Sequence, residues 1–329
     1  MARPDYEAAE RFARAALERG AGFMAFDYLV DALLWQGRFA EARQLVQDRD
    51  TDLTPGQRKY FELRWSRMLW WMTGERPESP APDPDAPGPG APAEADLGSA
   101  ARQAAMAAAD GRATDVIGTA LDILSSPAAD DEARCWATGA ALIGLGGQGQ
   151  VESGLALLPD AYASADRIAD FNYRLLLSVL DVWIRRLSGD LGGAGESLAQ
   201  LRGELERAVT PNAGLVDLLE ADLVLATGQA TRAVPMLRDA AARLDLNDFG
   251  GLSASAHFRL AEALGLVGDT AAAGLELKTG SRREDKTLGL FRPEQLLAKA
   301  WASVASGERK EASVHLAEGI RLAKAQDQH

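Results

Sequence analysis

A glycine followed by a polar residue recurs at nearly constant intervals, and no other feature of this chain constrains its fold as strongly. Neighbouring glycines of this kind are 37 to 40 residues apart. They are Gly37, Gly74, Gly111, Gly149, Gly189, Gly228, Gly268 and Gly307. A period of this length is typical of stacked helix–turn–helix repeats, in which the glycine ends the first helix of each pair.

Positions that follow the glycine support this interpretation. The fifth residue is often small, as in Ala42, Ala194, Ala233, Ala273 and Ala312. The ninth is often a larger aliphatic residue, as in Val46, Leu158, Leu198, Leu237, Leu277 and Leu316. The small residue lets two helices approach closely, and the larger one fills the seam between them. The pattern predicts an all-α, right-handed α-solenoid of tetratricopeptide-like helix–turn–helix repeats with about eight turns.

One repeat lacks its second helix. Residues 76–95 are rich in proline, which has no amide donor and disrupts a helix, so a linker or loop is predicted there. It is either a hinge or protease-accessible loop, or an insertion without a role. The predicted organisation is therefore residues 1–75 as N-terminal repeats, the linker 76–95, and residues 96–329 as the main array. Candidate helix N-caps are Asp96, Asp130 and Ser253.

The array is expected to begin and end on the second helix of a pair. Repeat arrays normally close with helices that have a polar outer face. We therefore expect the chain to be part of a longer polypeptide, or to pair with a partner at its ends.

Charge and composition exclude several classes of protein. The formal net charge of −13 opposes direct binding to nucleic acid, because that affinity comes mostly from neutralising phosphates. The single cysteine, Cys135, allows no intrachain disulfide. No run of about 18 apolar residues and no signal-peptide core are present, which predicts a soluble cytoplasmic protein without membrane contact.

No catalytic constellation stands out, so the chain is predicted not to be an enzyme and to hold neither cofactor nor metal. The histidines, His257, His315 and His329, do not form a ligand set, and His257 is interpreted as a packed or edge residue. The glycine-rich stretch 189–197 carries Glu196 where a phosphate-binding loop needs lysine, which argues against nucleotide binding.

The first helices of such repeats usually line a concave binding surface. Counting back from each turn glycine places several aromatic and charged residues on that face. The predicted ligand-binding residues are Trp71, Trp136, Trp183, Arg186, Phe258 and Trp301. A small amphipathic ligand or a peptide would fit such a surface. The alternative is that these tryptophans are core residues between helix layers.

Three segments carry a resemblance to a known family: residues 221–244, residues 257–274, and above all LFRPEQLLAKAWASVASGERKEASVHLAEGIRLAKAQ, residues 290–326. Residues 26–48 show the same helical-repeat sequence pattern. These repeats resemble the tetratricopeptide-like sensor region of the LuxR-family large ATP-binding transcriptional regulators, the class of the maltose-regulon activator. The Walker A lysine, the Walker B strand and the helix-turn-helix of that family have no counterpart here.

The resemblance implies a bacterial, non-catalytic sensor that binds a small-molecule inducer or a peptide or protein partner. Binding would control assembly, and a homo-oligomer is one of the assemblies that the resemblance allows. ATPase activity and DNA binding are not implied. The alternative is a constitutive protein–protein scaffold of tetratricopeptide type without a small ligand. An enzyme on an α-solenoid is the third hypothesis, and the predicted groove lacks the convincing pair of acids or metal that it would need.

Overall fold

The computed structural model describes residues 6–49, 52–54, 97–168, 171–205, 213–246, 248, 251–283, 288–326 and 328. Every regular element among these residues is a helix. The linker 76–95, Gly74 and Trp71 lie outside the described residues, as does the candidate N-cap Asp96. Within the described part of the chain, no helix has both the length and the apolar character needed to cross a lipid bilayer.

The helices up to residue 168 fall into two groups along the chain. The first group is α1 (Tyr6–Glu18), α2 (Phe23–Trp35) and α3 (Phe39–Asp48). The second group is α4 (Leu97–Ala107), a kinked turn at Gly111 (Ala108–Arg112), α5 (Ala113–Ser125), α6 (Asp131–Gly147), α7 (Val151–Leu155) and α8 (Leu158–Ile168). The segment that follows the turn at Gly149 thus forms two shorter helices, α7 and α8, where the repeat pattern has one second helix.

The remaining helices complete the array. They are α9 (Phe171–Ser188), α10 (Leu191–Leu205), α11 (Ala213–Ala226), α12 (Ala230–Leu246), α13 (Leu252–Leu266), α14 (Thr270–Ser281), a 3-10 segment (Gly289–Phe291), α15 (Arg292–Ala305) and α16 (Arg309–Ala325). Most consecutive helices pack against each other, and first helices of consecutive pairs also meet, as α4 does with α6 and α13 with α15. The all-helical architecture of neighbouring pairs is confirmed for the described residues.

The turn glycines adopt the backbone conformation that the repeat pattern requires. The seven of them within the described ranges have φ between +71° and +87°, a region that other residues enter reluctantly. The alanines that follow these turns are buried, and Ala42, Ala194, Ala233 and Ala273 have no exposed surface. The aliphatic position is less uniform, because Leu237 is fully buried whereas Leu316 on α16 is 41% exposed.

The two predicted N-caps within the described residues have different outcomes. Asp130 caps α6, since its Oδ1 accepts a hydrogen bond of 2.7 Å from the Ala133 amide. Ser253 is not a cap, because α13 starts one residue earlier and its N-cap is Gly251. The Ser253 hydroxyl instead donates to Asp245 on α12, a tertiary partner that local sequence does not indicate.

Replacing Asp130 by alanine is expected to lower the free energy of unfolding by about 1 kcal/mol, because an amide of the first turn of α6 loses its acceptor. Urea denaturation followed by circular dichroism measures this loss. Asp239→Ala is the matched control, because Asp239 is exposed in the middle of α12 and caps no helix. Equal losses in both variants would contradict the capping role.

The 3-10 segment before α15 reaches across the array. Leu290 is 4% exposed and joins the hydrophobic core built mainly by α4 to α9. Gly289 lies so close to the kinked turn at Gly111 that a Cβ atom added to it would be 2.6 Å from the Asp110 carbonyl carbon. Gln326 Nε2 at the end of α16 donates a 3.1 Å hydrogen bond to the Gly289 carbonyl. This segment therefore closes one side of the space between α9, α11 and α13.

Candidate ligand-binding site

A cavity of about 70 Å³ lies between α9, α11, α13, the 3-10 segment and α15. That volume would hold about five water molecules. Its wall is mainly apolar and includes three aromatic side chains, Trp183, Phe258 and Phe291. Its polar lining residues are Arg186, Asp222, Ser255, Arg259, Glu294 and Gln295. An apolar wall with a few converging polar groups is the usual composition of a small-molecule site.

Each helix contributes one face to the cavity. The lining positions are 179, 180, 183 and 186 on α9, 215, 218, 219 and 222 on α11, 252, 255, 258 and 259 on α13, and 294, 295 and 298 on α15. Spacings of three and four residues place side chains on the same side of a helix. The first helices of three successive pairs, together with α15, therefore build the site.

The predicted ligand-binding residues occupy different environments. Trp183, Arg186 and Phe258 line this one cavity. Trp136 lies elsewhere, 6% exposed in the core around α6, where its ring meets Tyr173 edge to face at 5.8 Å. Trp301 is 42% exposed on α15 and does not line the cavity. Trp71 falls outside the described residues, so the structure brings together three of the six.

A cluster of five charged residues forms the polar side of the cavity and extends behind it. Arg259 is its centre, because its guanidinium lies 3.0 Å from Asp222 Oδ1, 2.8 Å from Glu262 Oε2 and 2.8 Å from Glu294 Oε2. Arg186 Nη2 lies 2.5 Å from Glu294 Oε1. Side-chain exposures are only 10 to 24%, so water screens these pairs weakly.

The cluster holds Glu294 and Arg259 in their charged forms. Burial by itself would raise the pKa of Glu294, but the guanidinium groups of Arg186 and Arg259 outweigh burial and keep that pKa below its usual range. Burial opposes the charge on Arg259 as well, and the carboxylates of Asp222, Glu294 and Glu262 nevertheless raise its pKa. Arg259 and Glu294 are therefore both ionised at neutral pH.

Three buried polar atoms on lining residues make no hydrogen bond. They are Trp183 Nε1, Asp222 Oδ1 and Gln295 Oε1. Asp222 Oδ1 lies near Arg259 Nε in an ion pair, but without hydrogen-bond geometry. Leaving such a group unpaired costs about 1–3 kcal/mol. Most buried polar groups are paired, so Trp183 Nε1 and Gln295 Oε1 beside one cavity indicate a place where a ligand or water supplies partners.

A second polar cluster lies on the other side of α13. His257 is 7% exposed, with Nδ1 2.6 Å from Glu276 Oε2 and Nε2 3.2 Å from Asp245 Oδ1. It therefore links α12, α13 and α14, in agreement with its interpretation as a packed residue. Within the described ranges, no three His, Cys, Asp or Glu residues are grouped so that they could hold a metal ion.

Some lining residues were not among the sequence candidates. Arg259 follows Phe258 directly and lies one position off the predicted face, so counting back from the turn glycine does not select it. Gln295 is displaced in the same way from Glu294. Leu290 and Phe291 precede α15 in a connection between repeats, and no pattern in the sequence indicates that this connection folds against the first helices.

Neither the family models, nor the curated proteins, nor the solved structures with which this chain was compared contain a match to it. The cavity and its charged cluster are therefore the features on which a function can be argued.

Proposed function

We propose that this chain is a non-catalytic, ligand-binding helical-repeat module, the sensor region of a bacterial cytoplasmic regulator of the LuxR type. In this proposal the repeats wind into a right-handed solenoid, and a small molecule occupies the cavity beside Trp183 and Phe258. The observation that carries the proposal is the mainly apolar cavity with two unpaired buried polar atoms, Trp183 Nε1 and Gln295 Oε1, on its lining residues. The link to LuxR-type regulators is supported by the resemblance of residues 290–326.

Ligand binding would act through the arrangement of helices. The cavity wall comes from four successive repeats and from the 3-10 segment that meets Asp110, so a ligand there would contact elements that are distant in sequence. A ligand that fits one arrangement of these elements better than another shifts the population towards it. That shift would change the surfaces available for assembly with attached domains, a partner protein or a second copy.

A cavity-filling variant tests this proposal. A thermal-shift screen of small molecules should find compounds that raise the melting temperature of the wild-type protein, because binding to the folded state adds stability by mass action. Ser255→Leu places a larger side chain in the cavity wall and should abolish the shift with the same compounds. Ser313→Leu is the matched control on the exposed face of α16 and should keep it. Compounds that stabilise wild-type and Ser255→Leu proteins equally would contradict the assignment.

The alternative is a constitutive protein–protein scaffold, and one observation favours it. Large apolar side chains are 40 to 66% exposed on the last two helices: Leu297, Trp301, Val304, Val314, Leu316 and Ile320. Such a surface is typical of contact with another protein. A scaffold would give no small-molecule hits in the screen, and its melting temperature would respond only to its partner.

A further inference from the structure

One side of α15 and α16 exposes apolar residues at positions that the preceding repeat covers. Leu297 lies ten residues before the turn glycine of this pair, and Leu316 lies nine residues after it. Phe258 on α13 and Leu277 on α14 occupy the same two positions in the preceding repeat. Phe258 is 1% exposed and Leu277 is partly buried, whereas Leu297 and Leu316 are 40% and 41% exposed. The two repeats therefore differ at these positions in cover rather than in apolar character.

The cover in the preceding repeat is the first helix of the next pair. Ala298 of α15 is fully buried and shares a hydrophobic cluster with Phe258 and the partly buried leucine of α14. A Cβ atom added to Gly265 of α13 would be 3.1 Å from Ala305 Cβ and 3.6 Å from Ala302 Cα, so α15 crosses α13 closely. The element that covers such a face is therefore a helix that presents small residues spaced by four and three.

The corresponding exposed face extends over both helices of the last repeat. On α15, Leu297, Trp301 and Val304 recur at spacings of four and three, and they are 40 to 48% exposed. On α16, Leu316 and Ile320 are four residues apart and 41% and 56% exposed. These spacings place the side chains of each helix on one side of it. We call these five residues the α15–α16 face. A helix that lay on it would contact both helices, as α15 contacts α13 and α14.

Basic residues accompany this face in a chain that is acidic overall. Helices α15 and α16 carry six basic and three acidic residues, although the whole chain has a formal net charge of −13. Arg309 and Lys324 are exposed and continue the stripe of Leu316 and Ile320 at its two ends. This arrangement favours an acidic partner. In a symmetric antiparallel pairing of two copies through α16, Arg309 of each copy would approach Lys324 of the other, so charge opposes a second copy.

We propose that the α15–α16 face binds an amphipathic α-helix of a partner protein. Small residues of that helix, spaced by four and three, lie against Leu297, Trp301 and Leu316, and its acidic residues lie near Arg309 and Lys324. The proposal goes beyond the ligand-binding function, because no residue of the α15–α16 face lines the cavity. Either proposal can therefore fail without the other.

A displayed library of helical peptides tests this proposal. Each peptide has about 18 residues, which is five turns of helix. Alanine is fixed at the spacing of Ala298, Ala302 and Ala305, and the other positions are randomised over helix-forming residues of both charges. Selection on the wild-type protein should enrich peptides with a net negative charge, because basic residues lie at both ends of the α16 stripe. Fluorescence anisotropy then measures the affinity of the enriched peptides.

Variants of exposed residues on α16 locate the binding site. Ile320→Ser should weaken binding of the enriched peptides about tenfold, because it removes apolar area that the peptide would bury. Val314→Ser is the matched control, since Val314 is 66% exposed on the same helix but lies about a third of a turn away. If Ile320→Ser does not fold, Arg309→Glu serves instead, and it should weaken binding of the acidic peptides more than Lys310→Glu does.

Several outcomes would overturn the proposal. Equal affinity of the wild-type and Ile320→Ser proteins for the enriched peptides would place the binding site elsewhere, and a library without binders or an enrichment of basic peptides would also contradict it. Sedimentation velocity tests the second copy, because a dimer that Ile320→Ser dissociates would assign the face to self-association. Binding to vesicles of anionic phospholipid that Ile320→Ser abolishes would assign it to a membrane surface. The screen with Ser255→Leu tests the cavity independently of these results.

Discussion

Replacing Arg259 by methionine is expected to destabilise the protein by about 3–5 kcal/mol, because it removes the common partner of three weakly exposed carboxylates. Methionine retains much of the apolar length of arginine, so the loss reports on charge rather than on packing. Urea denaturation at neutral pH measures it as a lower midpoint with an unchanged slope.

The exposed pair Arg321–Glu318 on α16 provides the control. Its partners are three residues apart and 65% and 47% exposed, so Arg321→Met should leave the denaturation midpoint nearly unchanged. A comparable loss in Arg321→Met would mean that the stability lost in Arg259→Met does not come from the buried cluster.

The effect of Arg259→Met should depend on pH. Because the folded-state pKa of Glu294 lies below its unfolded value of about 4.3, its contribution is fully present above that pH and is lost as the pH falls through the folded-state pKa. The difference between wild-type and Arg259→Met proteins should therefore be full at pH 7 and shrink below about pH 4. A difference that stays constant between pH 7 and pH 3 would contradict the electrostatic explanation.

Replacing Gly289 by alanine is expected to destabilise the protein by about 1–3 kcal/mol, the usual cost of an added methyl group that does not fit. The new Cβ atom would overlap the Asp110 carbonyl, and backbone cannot rotate away as a flexible side chain can. The 3-10 segment would have to move, which weakens the burial of Leu290 and the hydrogen bond from Gln326.

Gly118→Ala is the control for this prediction and should have the opposite sign. Gly118 lies inside α5, where an added Cβ atom meets nothing within 4 Å. Alanine favours a helix over glycine by about 1 kcal/mol, so this variant should be more stable than the wild type. The same denaturation experiment compares both, and an unchanged stability in Gly289→Ala would show that the contact with the kinked turn at Gly111 is not tight.

The periodic part of the structure could be predicted because its causes are local. A left-handed turn favours glycine, a close helix crossing favours alanine, and both recur with the repeat, so Gly189, Ala194 and Leu198 already indicate a helix pair. Counting back from the turn glycines placed Trp183, Arg186 and Phe258 on one face, and the structure brings these three residues to one cavity. The same counting also selected Trp136 and Trp301, because it identifies one side of a helix but not which neighbouring elements pack against that side.

The composition of the cavity was decided by tertiary structure. Arg259 pairs with carboxylates from α11, α13 and α15, and Gly289 meets Asp110 of a much earlier repeat. Such contacts depend on how far each repeat rotates relative to the last, and that rotation comes from many small packing differences rather than from any single motif. The sequence by itself determined an all-helical array of pairs with its turns in place. Only the tertiary structure decided that a charged cluster and a connecting segment enclose one small cavity, because both are assembled from side chains distant in sequence.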